Sequence, residues 1–188
     1  MPVRKYPRLK GYDYGQYGPY FVTFCVKDRH ELLGKVVVGS GFHARPSVEL
    51  SDLGIEVQKS IEYICGNDKG VEIPRYVIMP NHVHMIVALK TVNNIAVNTV
   101  GTNAVGHVQK TTVGTTTAGH GSPTLQTVVG RIKSYTAKQW REMGDTLDQT
   151  FWQRSFHDHI IRNEAEFQRI WQYIDENPAL WNEDAYHV

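Results

Sequence analysis

The chain has 188 residues, 41% apolar and 21% charged, enough for one domain with a substantial core. No apolar run approaches the ~20 residues of a transmembrane helix, and the first eight residues lack the apolar core of a signal peptide. A net charge of +1 excludes a uniformly basic nucleic-acid binder, and Cys25 and Cys65 fit neither a disulfide framework nor a CxxC metal site. The expectation is therefore a cytoplasmic globular protein with no membrane partner.

Residues 1–19 form an arm in which Arg4, Lys5, Arg8 and Lys10 precede Tyr12, Tyr14 and Tyr17. Cations beside stacking rings suit a single-stranded nucleic acid, and a tyrosine-rich arm packed on its own domain would look the same. Pro19–Val26 is β-branched and aromatic and predicts a buried strand, followed by a charged turn and a weaker strand near Lys35–Val38. Ser51 caps a helix through about Cys65, with Leu53, Val57, Ile61 and Ile64 on one face and Gly66 as its stop. Val71–Met79 and His82–Leu89 predict an antiparallel strand pair across the Pro80-Asn81 turn.

Residues 91–122 are threonine, valine, glycine and asparagine with almost no charge, a composition that predicts a mobile low-complexity loop. Ser122-Pro123 then opens a helix that ends at Gly144, with an expected inward stripe of Leu125, Val128, Val129, Ile132, Tyr135, Gln139 and Met143. Residues 145–188 form a C-terminal, largely helical segment. Its helix begins at Asn163, with Glu166 completing a capping pattern and Asn177-Pro178 ending it. The order of elements indicates a single α+β domain: an antiparallel sheet with helices packed on one face.

The chemistry concentrates in His82-Val83-His84, which opens a strand. Alternation puts both imidazoles on one face, which makes half of a metal site. Tyr135 and Gln139, four apart, project from one helical face and continue its apolar stripe toward the sheet. A core tyrosine with a boundary glutamine is the competing explanation for that pair. Together, two imidazoles and an amide oxygen can hold a divalent ion while leaving room for phosphate oxygens. A tyrosine beside that ion can attack a phosphodiester and retain its energy in a covalent phosphotyrosine. Basic residues Arg131, Lys133 and Lys138 share the tyrosine's helix, a cluster that suits DNA although such a cluster is more often only a solvated face.

At these residues the chain resembles a known family. Tyr76-Val-Ile-Met-Pro-Asn-His-Val-His84 is similar to the His-hydrophobic-His motif of the HUH single-tyrosine transposases, and Arg131-Ile-Lys-Ser-Tyr135 resembles their nucleophile helix. Gly11–Tyr14, Tyr20–Phe24, Trp152–Asn163 and Tyr173–Trp181 resemble the REP-associated tyrosine transposases in particular. The resemblance implies a ferredoxin- or RRM-like fold and a strand transferase acting on single-stranded DNA beside a hairpin, a REP-like palindrome in this branch. It implies His82, His84 and Gln139 as ligands of Mg2+ or Mn2+. It also implies Tyr135 as the nucleophile that forms a 5′-phosphotyrosine. Insertion-sequence members are dimers that share active sites, whereas this branch is expected to act as a monomer in the bacterial cytoplasm.

Two other readings stand beside this one: a catalytically silent hairpin-binding module, and a histidine-based metallohydrolase. The second His-x-His, His157-Asp158-His159, suits packing or a phosphate contact by Arg154, His159 or Arg162 better than a second metal. Trp152 is the tryptophan to test for stacking on DNA.

Overall fold

The structure is a computed structural model, and it describes residues 18–39, 45–90, 123–144 and 151–187. Its order is β1 (Gly18–Cys25), β2 (Gly34–Val37), β3 (Ser47–Leu50), α1 (Asp52–Asn67), β4 (Val71–Ile78), β5 (His82–Leu89), α2 (Leu125–Glu142), β6 (His157–Ile160) and α3 (Glu164–Glu176). A 3-10 turn at Lys27–Arg29 follows β1, and a 3-10 stretch, Asn177–Glu183, continues from α3. Four strands form one antiparallel sheet in the order β4-β5-β1-β6, and β2 and β3 make a separate hairpin. The α+β class and the antiparallel sheet are as the sequence predicts. The proposed loop 91–122 and most of the N-terminal arm lie outside the described residues.

Local chemistry sets the helix limits. The Ser51 hydroxyl accepts from the Gly54 amide and starts α1, which runs past Gly66 to Asn67. Ser122-Pro123 is not the start of α2: Thr124 is the N-cap, because its hydroxyl accepts from the Thr127 amide while Thr127 returns the bond. Asn163 caps α3 by accepting from the Glu166 amide, as its sequence indicates. Short β3 and β6 lack a clear alternating run, and the sequence reading misses both as strands.

The sheet has two differently used faces. Val83, Met85, Val87 and Leu89 of β5 point to one side, where they join Val57, Ile61, Val128 and Ile132 of α1 and α2 in the main core. Each of these buried side chains contributes on the order of 1.5–3 kcal/mol. His82, His84 and Ile86 point to the other side. There Ile86 packs with Ile161 and Ile174, and Phe21, Val77, Phe167, Ile170 and Trp171 border the cluster. Two helices thus cover one face, and α3 lies against the other, over the strands that carry the histidines.

Candidate active site

β5 and β1 fix the two histidines. His84 sits opposite Thr23 in the ladder and His82 opposite Cys25. The rings are 4.4 Å apart between centroids and both are buried. Asn81, at the turn, accepts from His82 Nδ1 at 2.8 Å and donates through Nδ2 to the carbonyls of Arg29 and Tyr186. That bond assigns the Nδ1–H tautomer and leaves His82 Nε2 as a buried lone pair without a hydrogen-bond partner among the described residues. His84 is held in the same way: Nδ1 meets the Thr23 hydroxyl at 2.7 Å and Nε2 meets the Tyr173 hydroxyl at 3.3 Å. Burial holds His82 down to about 3, with help from the charge of Arg29. Burial, then its neighbour His82, holds His84 well below its usual value. Both are therefore neutral and suited to be ligands.

The end of α3 and the segment after it complete the group. Tyr173 and Asn177 are four apart and both reach the histidines' side of the sheet. Tyr173 packs edge-on against Phe21 and lies 5.3 Å from the His84 ring. Asn177 is buried, donates through Nδ2 to Asp184 Oδ2 at 2.8 Å, and keeps an unpartnered Oδ1. Asp184 Oδ2 lies 4.0 Å from His82 Nε2. Ligand atoms of His82, His84 and Asp184 lie within 4.8 Å of one another, so the three can hold an ion. The orphaned His82 nitrogen and Asn177 oxygen are what a hard divalent cation with mixed nitrogen and oxygen ligands would satisfy. Burial, then the charges of Asp184 and Tyr186, pushes the Tyr173 hydroxyl up. Tyr186 covers the histidines, its ring 4.7 Å from His82 and 5.5 Å from His84.

The structure does not bring Tyr135 or Gln139 to the histidines. The inward stripe of α2 is Leu125, Val128, Val129, Ile132 and Thr136, so Tyr135 turns away, is 41% exposed, and donates to Glu56 Oε2 at 2.8 Å. Gln139 donates to Glu142 on its own helix. Even an inward Tyr135 would meet Val83 and Met85, because α2 covers the face opposite the imidazoles. The α2 stripe does pack on the sheet that carries the histidines, but on its opposite face. Tyr173, Asn177 and Asp184 went unassigned, although Tyr173-Ile-Asp-Glu-Asn177 repeats the same tyrosine–amide spacing.

The other expected DNA contacts are dispersed. Arg131 pairs with Asp68 and Lys138 with Glu142. Lys133 donates to the carbonyls of Gln153 and Ser155. Trp152 is a core residue whose Nε1 donates to Thr136, so it offers no stacking surface. His159 bonds Glu166, which also accepts from the Arg162 amide, a local brace at the start of α3. The Arg154 and Arg162 side chains are exposed. Arg4, Lys5, Arg8, Lys10 and Tyr14 lie outside the described residues. No helix among the described residues is long and apolar enough to cross a membrane.

Comparison with known proteins places this geometry. No family model matches the chain. A Haemophilus influenzae protein described only as uncharacterized is 32% identical over 186 residues, spanning 98% of this chain and 93% of its own. These two proteins belong to one family. Among solved structures, a REP-associated tyrosine transposase bound to a REP hairpin aligns with a TM-score of 0.53 at 18% identity, over 95% of this chain and 73% of that one. The chain has the fold of a REP-associated tyrosine transposase. At that identity the likeness establishes the fold alone and leaves the chemistry to the site itself. A Deinococcus radiodurans protein provisionally assigned as a transposase aligns at 17% identity over 90% of this chain and 95% of its own, with a TM-score of 0.43, and adds nothing to the argument.

Proposed function

We propose that the protein is a metal-dependent single-stranded DNA endonuclease and strand transferase that acts beside hairpins through a covalent tyrosine intermediate. The observation that carries this reading is Tyr173 Oη at 3.3 Å from His84 Nε2, on the histidine pair whose His82 Nε2 has no hydrogen-bond partner among the described residues and whose ligand atoms lie within 4.8 Å of a carboxylate oxygen of Asp184. Tyr173 takes the nucleophile's role expected of Tyr135, and Asn177 with Asp184 takes the ligand's role expected of Gln139. His82, His84, Asn177 and Asp184 would hold Mg2+ or Mn2+, both of which accept such donors. A bound divalent ion supplies charge that draws electron density from a phosphate and favours a tyrosinate.

The chain's own residues do the rest. Asn81 and Thr23 hold both rings by Nδ1, so that each Nε2 is free of the strand's own bonds. Phe21 packs against Tyr173 and His84 and limits the swing of the phenol. Tyr173 Oη attacks the phosphorus, the O3′ leaves as a 3′ hydroxyl, and the 5′ phosphate stays on the enzyme. Attack by another 3′ hydroxyl reverses the step and joins strands without ATP. A nucleic-acid phosphate reaches the site only when the Tyr186 segment moves aside, since it buries both imidazoles. One chain supplies nucleophile and ligands together, which supports action as a monomer. The hairpin substrate, REP-like in sequence, is supported by the shared fold.

The test is a denaturation-resistant adduct between the protein and labelled single-stranded hairpin DNA with Mg2+ or Mn2+. The adduct is expected in the parent and in Tyr135→Phe and is lost in Tyr173→Phe. Hairpin binding with no adduct under either metal would favour the silent binding module. Cleavage that survives Tyr173→Phe but not His82→Ala would favour a metallohydrolase.

A further inference from the structure

The 3-10 turn after β1 holds an unusual backbone beside the site. Asp28 and Arg29 both have left-handed φ, at 56° and 61°. Aspartate tolerates that region and arginine does so rarely, so the conformation persists only where surroundings enforce it. They do enforce it. The Val26 amide donates to the Asn81 carbonyl, the Lys27 amide donates to the Phe151 carbonyl, and Asn81 Nδ2 donates to the Arg29 carbonyl. Asn81 is also the residue that orients His82, so the strained turn and the histidine strand are tied through one side chain.

The tie delivers a guanidinium to the site. The Arg29 head lies over the Tyr186 ring, 4.6 Å from its centroid, and donates from Nη1 to the Ala185 carbonyl at 3.4 Å. Tyr186 in turn lies on both histidines. Several other cations of the described residues are paired with a carboxylate where they stand: Arg131 with Asp68, Arg75 with Asp175, Lys90 with Glu72. The contacts of Arg29 are a ring face and a long bond to a carbonyl, both weaker than a pair with an anion. They belong to the same segment that a substrate phosphate must displace.

We propose that Arg29 is a substrate-contacting residue whose guanidinium grips the non-bridging oxygens of the phosphate at the scissile position once Tyr186 lifts. This rests on the proposed function above. The planar fork suits two phosphate oxygens at once, and it approaches from the turn while His82, His84, Asn177 and Asp184 occupy the sheet and α3 side. Charge on the phosphoryl oxygens in the transition state is then met from two directions, and the backbone strain serves to pre-position the arginine.

The full chain carries the test, with Arg29→Asn as the main variant. Asparagine favours left-handed φ, so it keeps the turn and removes the charge. Arg29→Lys keeps a charge and loses the fork. Binding of a labelled hairpin strand is measured in a Tyr173→Phe background across a salt series. Arg29→Asn is expected to reduce the slope of log K against log salt by about 0.7, the value for one phosphate contact on a single strand, and Arg29→Lys to restore it. In single-turnover adduct formation at saturating DNA, Arg29→Asn is expected to be about 100-fold slow and Arg29→Lys about 10-fold slow, with melting temperatures no lower than the parent's. An unchanged slope together with an unchanged rate would overturn the proposal. Faster adduct formation in Arg29→Asn would also overturn it, since that is the mark of an arginine that only holds Tyr186 down. If the parent forms no adduct while the slope still falls, the phosphate contact stands and the strand-transfer reading is what fails.

Discussion

The Tyr173 hydroxyl lies 3.3 Å from Nε2 of His84, across a sequence separation of 89 residues. The contact exists because α3 packs on the one face of β5 that carries imidazoles, and it orders most of what can be tested.

Swapping the two candidate tyrosines separates the faces. Tyr173→Phe is expected to abolish the covalent adduct while leaving the fold intact, because the ring and its packing on Phe21 remain. Tyr135→Phe removes only an exposed bond to Glu56 and is expected to change stability by no more than about 0.5 kcal/mol. Adduct yield in Tyr135→Phe should match the parent on a denaturing gel. A yield that follows Tyr135 instead would reverse the assignment.

Metal binding can be read without any DNA. An ion that binds only the folded state at 100 times its dissociation constant stabilises by about 2.7 kcal/mol. For a chain of this size that raises the melting temperature by roughly 5–10 °C. Mn2+ is expected to give such a shift in the parent and none in His82→Ala or Asp184→Asn, and Asn177→Leu should weaken it. Equal shifts in all four proteins would remove this group as the metal centre.

Removing the cover should expose the site. Tyr186→Ala takes away the ring lying on both histidines and the guanidinium's resting place, while the Asn81 bond to the residue 186 carbonyl can persist. Mn2+ association, followed by stopped-flow fluorescence of Trp181 beside His82, is expected to accelerate. An unchanged rate would mean that the ring does not limit access.

Lys133 and Cys25 give the fold a signed pH dependence. Burial holds the Lys133 ammonium down to about 8, against ~10.4 in an unfolded chain. Between those values the unfolded state binds more protons, so this residue's contribution rises with pH, its penalty being full below pH 8 and gone above ~10.4. Burial pushes the Cys25 thiol up to about 11, against ~8.5 unfolded, so its contribution falls with pH between those values. Urea unfolding should therefore show stability rising from about pH 7.5 to 8.5, where the gain through Lys133 outweighs the loss through Cys25. Lys133→Met should flatten that rise, and Cys25→Ser should extend it to higher pH. A parent profile already flat below pH 8.5 would count against the buried ammonium.

Much of this molecule is legible from residue order, and the gaps have physical causes. β5 and its two imidazoles follow from alternation, the start of α1 follows from Ser51, and both ends of α3 follow from Asn163 and Asn177. What periodicity cannot state is which face of a sheet a helix covers. Tyr135-x-x-x-Gln139 and Tyr173-x-x-x-Asn177 carry the same spacing signal, and only the packing of Ile174 with Ile86 distinguishes them. Parity held a clue. The stripes of α1 and α2 already saturate the Val83, Met85, Val87 side, which leaves α3 for the histidines. Asp184 had no local pattern to mark it, since its role arises from the path of the chain after Trp181. β6 is too short for alternation to show, and its register against β1 is a tertiary fact.

Val83 and His84 are sequence neighbours that answer to different demands, and the same is true all along β5. A saturating mutational scan of this strand should split by parity. Odd positions such as Val83, Met85 and Val87 should register in abundance and heat tolerance, and the even positions His82 and His84 in strand transfer at unchanged abundance. The chain can thus drift or be hardened through one helical layer without retuning the other, a separation that a site buried within a single core would not permit.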